Sequence, residues 1–261
     1  MLDQLTRPQR VVQTAPEIRV GISDLWSFKT CPASYHFRQE ARKTKQVYTP
    51  AARPSEWLGE IVHSVASTPL ERRKAMLLRG LERATQVLPE AELAAVHAKC
   101  LEMVAYIDAL LASRDVRYHY HLERLDEATG LTLVTIADAL ELGRKTTVIE
   151  FKTKEHRGGI DSKAEFQTMI SAWLLLRSSE IDAVIRQIFY LGSRSVHTER
   201  LTRQQVEQYF CREVRPVLRK LAKAIDSRRN LSISRTGSRC QTCRYLQECQ
   251  AASQAQPQAD S

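Results

Sequence analysis

A carboxylate and an amine stand two positions apart in the segment 147–153, where Glu150 and Lys152 flank Phe151. The segment reads as a short apolar strand, and alternate residues of a strand share a face, so both side chains point the same way. Burying such a pair is costly unless something uses or neutralises it. A divalent metal ion would pair with the glutamate, and a phosphate or an attacking water would pair with the lysine.

A second carboxylate lies on the preceding apolar strand, predicted over 131–142, where Asp138 interrupts the apolar run. A three-residue turn at 143–145 would pair Leu142 with Thr146 and place Asp138 opposite Glu150, on the same face. A two-residue turn would place Asp138 opposite Ile149, on the other face. In the first register the two carboxylates could bind Mg²⁺ or Mn²⁺ for phosphodiester hydrolysis. The alternative is an Asp/Glu–Lys ion-pair network in a sheet.

Three cysteines near the C-terminal end, Cys240, Cys243 and Cys249, have the spacing C-x2-C-x5-C. Three thiolates suggest a metal site that needs a fourth ligand, and Cys31 before Pro32 is the best candidate. Cys100 and Cys211 are the alternatives, and both lie within helical patterns. Four thiolates could hold zinc or an iron–sulphur cluster, although structural zinc sites more often use two short pairs. Such a site would join the two ends of the chain.

Helical patterns surround the two strands. The helix that begins near Trp57 carries His63 beside its apolar stripe, and from that helix alone the histidine reads as packed or solvated. The helix predicted over 163–176 carries Gln167. The remaining patterns are helices over 69–113 with a break near Pro89, a strand over 183–196, and a basic helix over 202–229 that Pro216 should interrupt.

Composition sets the broad class. The 261 residues carry a net charge of +9 and 43% hydrophobic residues, enough for one large domain or two small ones. A basic chain favours an anionic partner, most commonly nucleic acid. No apolar run approaches the roughly 20 residues of a membrane span, and the first residues lack a signal-peptide pattern. We therefore expect a cytoplasmic protein with no membrane association, whose six cysteines are thiols or metal ligands.

Taken together, these motifs resemble a known family. The pattern from Asp138 to Glu150-x-Lys152 is similar to the core of PD-(D/E)xK nucleases. Within that superfamily, Gly59-x-x-x-His63 resembles the GxxxH motif of the RecB-type branch, whose histidine is a metal ligand. Gln167 resembles the first residue of its Q-x-x-x-Y motif.

The cysteines resemble those of the iron–sulphur members of that branch, which include CRISPR-associated RecB-like exonucleases and AddB-like nuclease subunits. The segment from Phe28 to Tyr35, FKTCPASY, is similar to their F-x-x-C-P-x-x-Y opening. Two positions depart from the family pattern. Thr135 replaces a usual glycine, and Ser171 replaces the tyrosine of Q-x-x-x-Y, so base stacking by that tyrosine would be absent.

The resemblance implies a restriction-endonuclease-like α/β fold, with a mixed sheet core flanked by helices and an iron–sulphur element joining the N- and C-terminal regions. It implies a site in which Mg²⁺ or Mn²⁺ is bound, Lys152 activates water and Gln167 orients it. The implied metal ligands are His63, Asp138, Glu150 and the carbonyl of Phe151. The implied ligands of a four-iron, four-sulphur cluster are Cys31, Cys240, Cys243 and Cys249, with zinc as the alternative.

The expected organisation is a single nuclease domain over 18–249, with a helical insertion at about 69–113 and disordered ends at 1–17 and 250–261. The expected function is a metal-dependent DNA exonuclease on single-stranded ends, in recombination, repair or CRISPR adaptation. Helicases, recombinases or CRISPR adaptation proteins are candidate partners, since no Walker-type helicase motif is present. The alternative is a non-catalytic DNA-binding subunit with the same fold.

Overall fold

The computed structural model describes residues 18–44, 53–143, 145–226, 240, 243 and 245–255, with side chains for all of these except 226 and 251–255. The segment 1–17, predicted to be disordered, lies outside these residues. Strands in the described residues are β1 Ile18–Gly21, β2 Val116–Asp126, β3 Leu131–Glu141, β4 Thr147–Lys152, β5 Ala183–Tyr190 and β6 Ser195–Thr202. Helices there are α1 Ile22–Thr30, α2 Pro32–Lys43, α3 Pro54–Ala66, α4 Leu70–Thr85, α5 Glu90–Leu111, α6 Ser162–Ser178, α7 Arg203–Tyr209, α8 Arg215–Asp226 and α9 Leu246–Ala255.

Within the described residues the strands form one six-stranded mixed sheet in the order β1-β3-β4-β5-β6, with β2 also paired to β3. The β1–β3 and β4–β5 pairs are parallel, whereas β2–β3, β3–β4 and β5–β6 are antiparallel. Strand β2 pairs with β3 along residues 131–141, so it occupies one whole edge of β3. Strands β1 and β4 share the other edge, where β1 pairs with residues 131–134 and β4 with residues 139–141. This confirms the predicted mixed α/β sheet flanked by helices.

Apolar residues on both faces of the central strands place the sheet between two core layers. One layer contains Ile149 and Phe151 and packs under α3, α4 and α5. The other contains Leu140 and Val148 and packs under α1, α6 and the helices after β6. Because strands β3 and β4 are covered on both sides, their apolar runs are nearly continuous, as in other buried central strands.

Two strand predictions were wrong. The segment 183–196 is not one strand but the whole of β5, a turn at 191–194 and the start of β6. Segment 18–21 was not predicted as a strand, yet it pairs in parallel with residues 131–134. A four-residue strand carries too few alternating positions to be visible in the sequence, and its partner is more than a hundred residues away.

The predicted helix after Thr202 is confirmed, and so is its interruption. Thr202 caps α7 in a reciprocal arrangement with the Gln205 side chain. A π-helical segment, Phe210–Val214, then separates α7 from α8 just before Pro216. Proline lacks the backbone N–H that would continue the α-helical ladder, which is a physical reason for the irregular turn at this point.

The C-terminal element folds back onto the N-terminal helices, since the Tyr245 ring stacks on that of Phe37 in α2 with a centroid distance of 5.8 Å. The helix α9 extends to Ala255, so it includes residues 250–255 of the tail over 250–261 that was predicted to be disordered. Alanine and glutamine dominate that segment, and both are good helix formers. Residues 256–261 lie outside the described part. In the described residues no helix is long and apolar enough to span a bilayer.

Candidate active site

The register of the β3–β4 hairpin decides whether the two carboxylates meet. Ala139 pairs with Ile149, Leu140 with Val148 and Glu141 with Thr147. Continuing this register by one residue places Asp138 opposite Glu150, as the odd-length turn predicts. The predicted two-carboxylate arrangement on adjacent strands is therefore present in the fold.

Strand β3 has no ladder partner on this edge between the end of β1 at Val134 and the start of the β4 pairing at Ala139. Asp138 lies in this gap, and its Oδ2 accepts a hydrogen bond of 2.9 Å from the backbone N–H of Phe151. A side-chain carboxylate thus takes the place of a backbone carbonyl. The Phe151 ring is fully buried and stacks on Phe189, so this strand end is held firmly.

His63 reaches the same carboxylate from helix α3. Its Nδ1 lies 3.3 Å from Asp138 Oδ2. One turn earlier in the helix, Gly59 faces Thr153 just beyond the end of β4, where an added Cβ would lie 3.7 Å from Thr153 Oγ1. The apolar stripe of α3, including Ile61 and Val62, is buried against the sheet and sets this position. The structure therefore brings His63 and Asp138 together across 75 residues of sequence.

Lys152 connects strand β4 to helix α6. Its Nζ donates to Glu150 Oε1 at 2.6 Å and to Gln167 Oε1 at 3.2 Å. The start of α6 is fixed by Asp161, whose side chain accepts from the N–H of Ala164 and whose own N–H donates to the Tyr190 hydroxyl. Tyr190 pairs with Lys152 in the sheet, so the helix and the lysine share one support.

Burial and mutual charge control protonation at this site. Burial raises the pKa of Glu150, and the nearby Asp138 carboxylate raises it further. Burial acts the same way on Asp138, but the charge and hydrogen bond of His63, the Phe151 N–H and the Lys152 ammonium together outweigh it and lower the pKa of Asp138. For His63 and Lys152, burial lowers the pKa, yet attraction to Asp138 and Glu150 respectively leaves both values raised. Two cationic side chains therefore balance two carboxylates.

Lys163 is a neighbour of the site that sequence reasoning missed. Burial lowers its pKa, and the Lys152 ammonium lowers it further. It precedes Gln167 by four residues, which places the two on one side of helix α6. That spacing is the signal in the sequence that could have identified it.

The two residues that depart from the family pattern, Ser171 and Thr135, are both buried. Ser171 is buried, and its hydroxyl donates to the backbone carbonyl of Gln167 at 3.0 Å. It therefore offers no surface on which a base could stack. Thr135 is also buried, three residues before Asp138 on β3.

The cysteines of the two chain ends approach one another. Burial raises the pKa of Cys249, and the neighbouring thiols of Cys31, Cys243 and Cys240 raise it further. Cys31 caps helix α2, accepting from the N–H of Ser34 at 3.4 Å. By contrast, Cys100 is fully buried among the helices over the opposite face, and Cys211 lies beside Arg215. Of these three cysteines, Cys31 is thus the one that lies near Cys249.

Within the part of the chain that the structure describes, no three His, Cys, Asp or Glu side chains are grouped closely enough to hold a metal ion as they stand. At the carboxylate site each carboxylate is paired with a basic side chain, Asp138 with His63 and Glu150 with Lys152. The donor types nevertheless suit Mg²⁺ or Mn²⁺, which take carboxylate oxygens and tolerate an imidazole. Metal binding would require side-chain rotation that exchanges these partners.

A mixed sheet whose central strands carry an aspartate and an E-x-K sequence, covered by helices on both faces, is consistent with the restriction-endonuclease-like class. The sequence model of the PD-(D/E)XK nuclease superfamily matches residues 19–250. The chain therefore belongs to the PD-(D/E)XK nuclease superfamily, and this membership indicates a nuclease that uses a divalent metal ion such as Mg²⁺ or Mn²⁺.

Other comparisons are more distant. Comparison with curated proteins gives no match. The crystal structure of SSO0001 aligns with a TM-score of 0.47 and 14% sequence identity, covering 95% of this chain and 90% of that chain. That similarity is too remote to support a functional inference.

Proposed function

We propose that this protein is a metal-dependent DNA exonuclease that hydrolyses phosphodiester bonds at single-stranded ends. The observation that supports the proposal best is the convergence of His63, Asp138, Glu150, Lys152 and Gln167 from four elements on one hydrogen-bonded site. An ion-pair network in a sheet would not need the histidine and the glutamine as well. The preference for single-stranded ends rests on the resemblance to RecB-type nucleases.

His63, Asp138, Glu150 and the Phe151 carbonyl would hold Mg²⁺ or Mn²⁺, which when bound polarises the scissile phosphate and lowers the pKa of bound water. Lys152 keeps its proton in this structure because Glu150 lies 2.6 Å away. When Glu150 turns from it, Lys152 would activate and orient the attacking water. Gln167, 3.2 Å from the ammonium, would hold the lysine and orient the water with it.

Exposed cations on helix α8 would hold the strand by phosphate contacts. Arg219, Lys220 and Lys223 are exposed there, on a helix whose apolar side packs in the same core layer as α6. With the net charge of +9, this surface suits a polyanion. Recombination, repair and CRISPR adaptation are the candidate settings, in a cytoplasm that keeps thiols reduced. A partner helicase or recombinase would supply any unwinding.

Cleavage of labelled single-stranded DNA with Mn²⁺ or Mg²⁺ tests the proposed activity. We expect Lys152→Ala and Glu150→Ala to lose cleavage by at least about 10²-fold while retaining DNA binding, since both groups act on the reacting atoms. The exposed Lys99→Ala on α5 is the matched control and should cleave normally. Separate 5′ and 3′ labels give the polarity of digestion.

Equal cleavage by the wild type and both active-site variants would refute the enzymatic proposal. DNA binding by a wild type that cleaves with neither metal would favour the non-catalytic DNA-binding subunit instead.

We also propose that Cys31, Cys240, Cys243 and Cys249 bind a four-iron, four-sulphur cluster. The proximity of the other three thiols to Cys249 supports it, as does the stacking of Tyr245 on Phe37. Anaerobically purified protein should be brown and absorb near ~400 nm, as iron–sulphur thiolate sites do. Cys249→Ser should lose iron and colour, whereas the exposed Cys211→Ser should keep both. Colourless wild-type protein with zinc instead of iron would favour the zinc site.

A further inference from the structure

Strand β2 contains one residue whose backbone conformation is unusual for a strand. His119 has a φ of 50°, in the left-handed region, at the fourth position of an eleven-residue strand. Arg194 has a similar φ, but it lies in the β5–β6 turn, where such a conformation is ordinary. For a residue with a side chain, this conformation is disfavoured and persists only when the surrounding fold imposes it.

The residue opposite His119 is Asp138. Tyr118 pairs with Ala139 and Tyr120 with Ala137, so the shared register places His119 across from Asp138. The ladder pairs on both sides are formed, whereas this central pair is missing from the ladder. The left-handed residue and the candidate metal ligand therefore occupy one interruption of the sheet.

The interruption reverses the alternation of side chains in strand β2. Tyr118 and Tyr120 should share a face, since they are two residues apart. Instead Tyr118 packs in the layer under α3–α5, with the Arg73 guanidinium 5.0 Å from its ring centroid. Tyr120 packs in the layer on the other side, under α1 and α6.

Strand β3 reverses with it. Leu133 and Leu140 are seven residues apart and should lie on opposite faces, yet both belong to the layer under α1 and α6. Ala139 packs in the opposite layer, so alternation is regular again at this end of the strand. Asp138 follows the alternation of Leu140. Without the reversal, a strand that buried Leu133 in this layer would turn Asp138 to the other face.

We propose that His119 is a positioning residue for Asp138. The left-handed backbone of His119 reverses β2 and β3 and holds Asp138 on the sheet face that carries Glu150 and Lys152, at the proposed metal site. The role belongs to the backbone, because the exposed His119 side chain forms no hydrogen bond or ion pair with the described residues. The inference rests on the proposed metal-dependent function.

Substitutions that differ in tolerance for the left-handed region test it, with Mn²⁺ affinity of the full chain measured by calorimetry in the absence of DNA. His119→Gly and His119→Asn keep that conformation accessible, so both should bind Mn²⁺ within about twofold of the wild type. His119→Val disfavours it and should bind at least about tenfold more weakly. The matched control is His121→Val, at an exposed position of the same strand. This variant should bind Mn²⁺ as the wild type does.

Thermal unfolding separates positioning from a general loss of structure, since a merely structural role would lower the Tm of His119→Val without changing the Mn²⁺ affinity of the folded protein. If His119→Val does not give folded protein by circular dichroism, His119→Ala takes its place, and the same ranking below glycine and asparagine is required. Equal Mn²⁺ affinity across the series, or weakening by His119→Gly as large as by His119→Val, would overturn the inference. A wild type that binds no Mn²⁺ would overturn the proposed metal site itself.

Discussion

Each of the two candidate ligand carboxylates in this site is paired with a basic side chain. His63 neutralises Asp138, and Lys152 neutralises Glu150, at distances of 3.3 Å and 2.6 Å. A divalent cation would have to replace the proton on His63 and the ammonium beside Glu150. Metal binding should therefore release protons and strengthen as pH rises.

The His63–Asp138 pair makes a prediction for stability in metal-free protein. Although burial lowers the pKa of His63, Asp138 leaves it raised above its ordinary value of about 6.5. A raised pKa contributes stability that is fully present below about 6.5 and is lost as pH rises through the folded-state value. The Tm advantage of wild type over His63→Gln should thus shrink from about pH 6.5 upward.

Thermal melts in EDTA at several pH values measure this. The shift should be modest, because about a third of the His63 side chain (35%) is exposed and solvent screens the pair. His97→Gln, an exposed histidine on α5, is the control and should show no such trend. An advantage that stays constant or grows with pH would contradict the prediction.

Helix α6 places Gln167 beside Lys152 in the candidate active site. The π-helical segment after α7 packs against this helix. The Phe210 ring stacks on Trp173 of α6 with centroids 3.8 Å apart and an interplanar angle of 5°. Trp173 also donates through Nε1 to Glu207 of α7 at 2.9 Å. The helix that carries Gln167 is thus held by contacts with α7 and with the π-helical segment.

Removing the Phe210 ring should destabilise the protein strongly. The side chain is almost fully buried, and truncating such a ring to alanine costs about 3–5 kcal/mol in transfer and cavity energy. Urea unfolding of Phe210→Ala measures the loss. The exposed Gln208→Ala on α7 should change stability by no more than about 0.5 kcal/mol. Similar values for both variants would show that the stack contributes little.

At the scale of the whole molecule, charge is distributed over both faces of the sheet, but the proposed DNA path uses one of them. Helix α8 carries Arg219 and Lys223 on the side of α6. Helix α4 carries Lys74 and Arg79 on the opposite side. The two helices therefore offer matched charges in different places.

Salt dependence of binding distinguishes them. Each phosphate contact in single-stranded DNA contributes about −0.7 to the slope of log K against log salt. The double variant Arg219→Ala, Lys223→Ala should flatten the slope by about 1.4, measured by fluorescence anisotropy in EDTA. The double variant Lys74→Ala, Arg79→Ala removes the same charge from α4 and should leave the slope unchanged. Equal flattening in both would show that the charge acts without a defined path.

Local patterns in the sequence were sufficient for much of the site. The E-x-K strand, the acid on the preceding strand and the odd-length turn between them predicted the register of Asp138 and Glu150, because a strand's period of two ties register to face. The helical stripes predicted α3 and α6, since burial of one face leaves a 3.6-residue period. The roles of His63 and Gln167 as ligand and water-orienting group remain predictions.

Other features were decided only in the tertiary structure, because they depend on contacts between distant segments. Strand β1 exists through its pairing with residues 131–134, and its four residues show no pattern of their own. The reversal at His119 places Tyr118 and Tyr120 in core layers on opposite faces of the sheet, and no local propensity encodes it. The E-x-K strand thus predicted the candidate chemistry, while the gap in β3 at Asp138 and the contacts of Phe151, His63 and His119 around it required the folded chain.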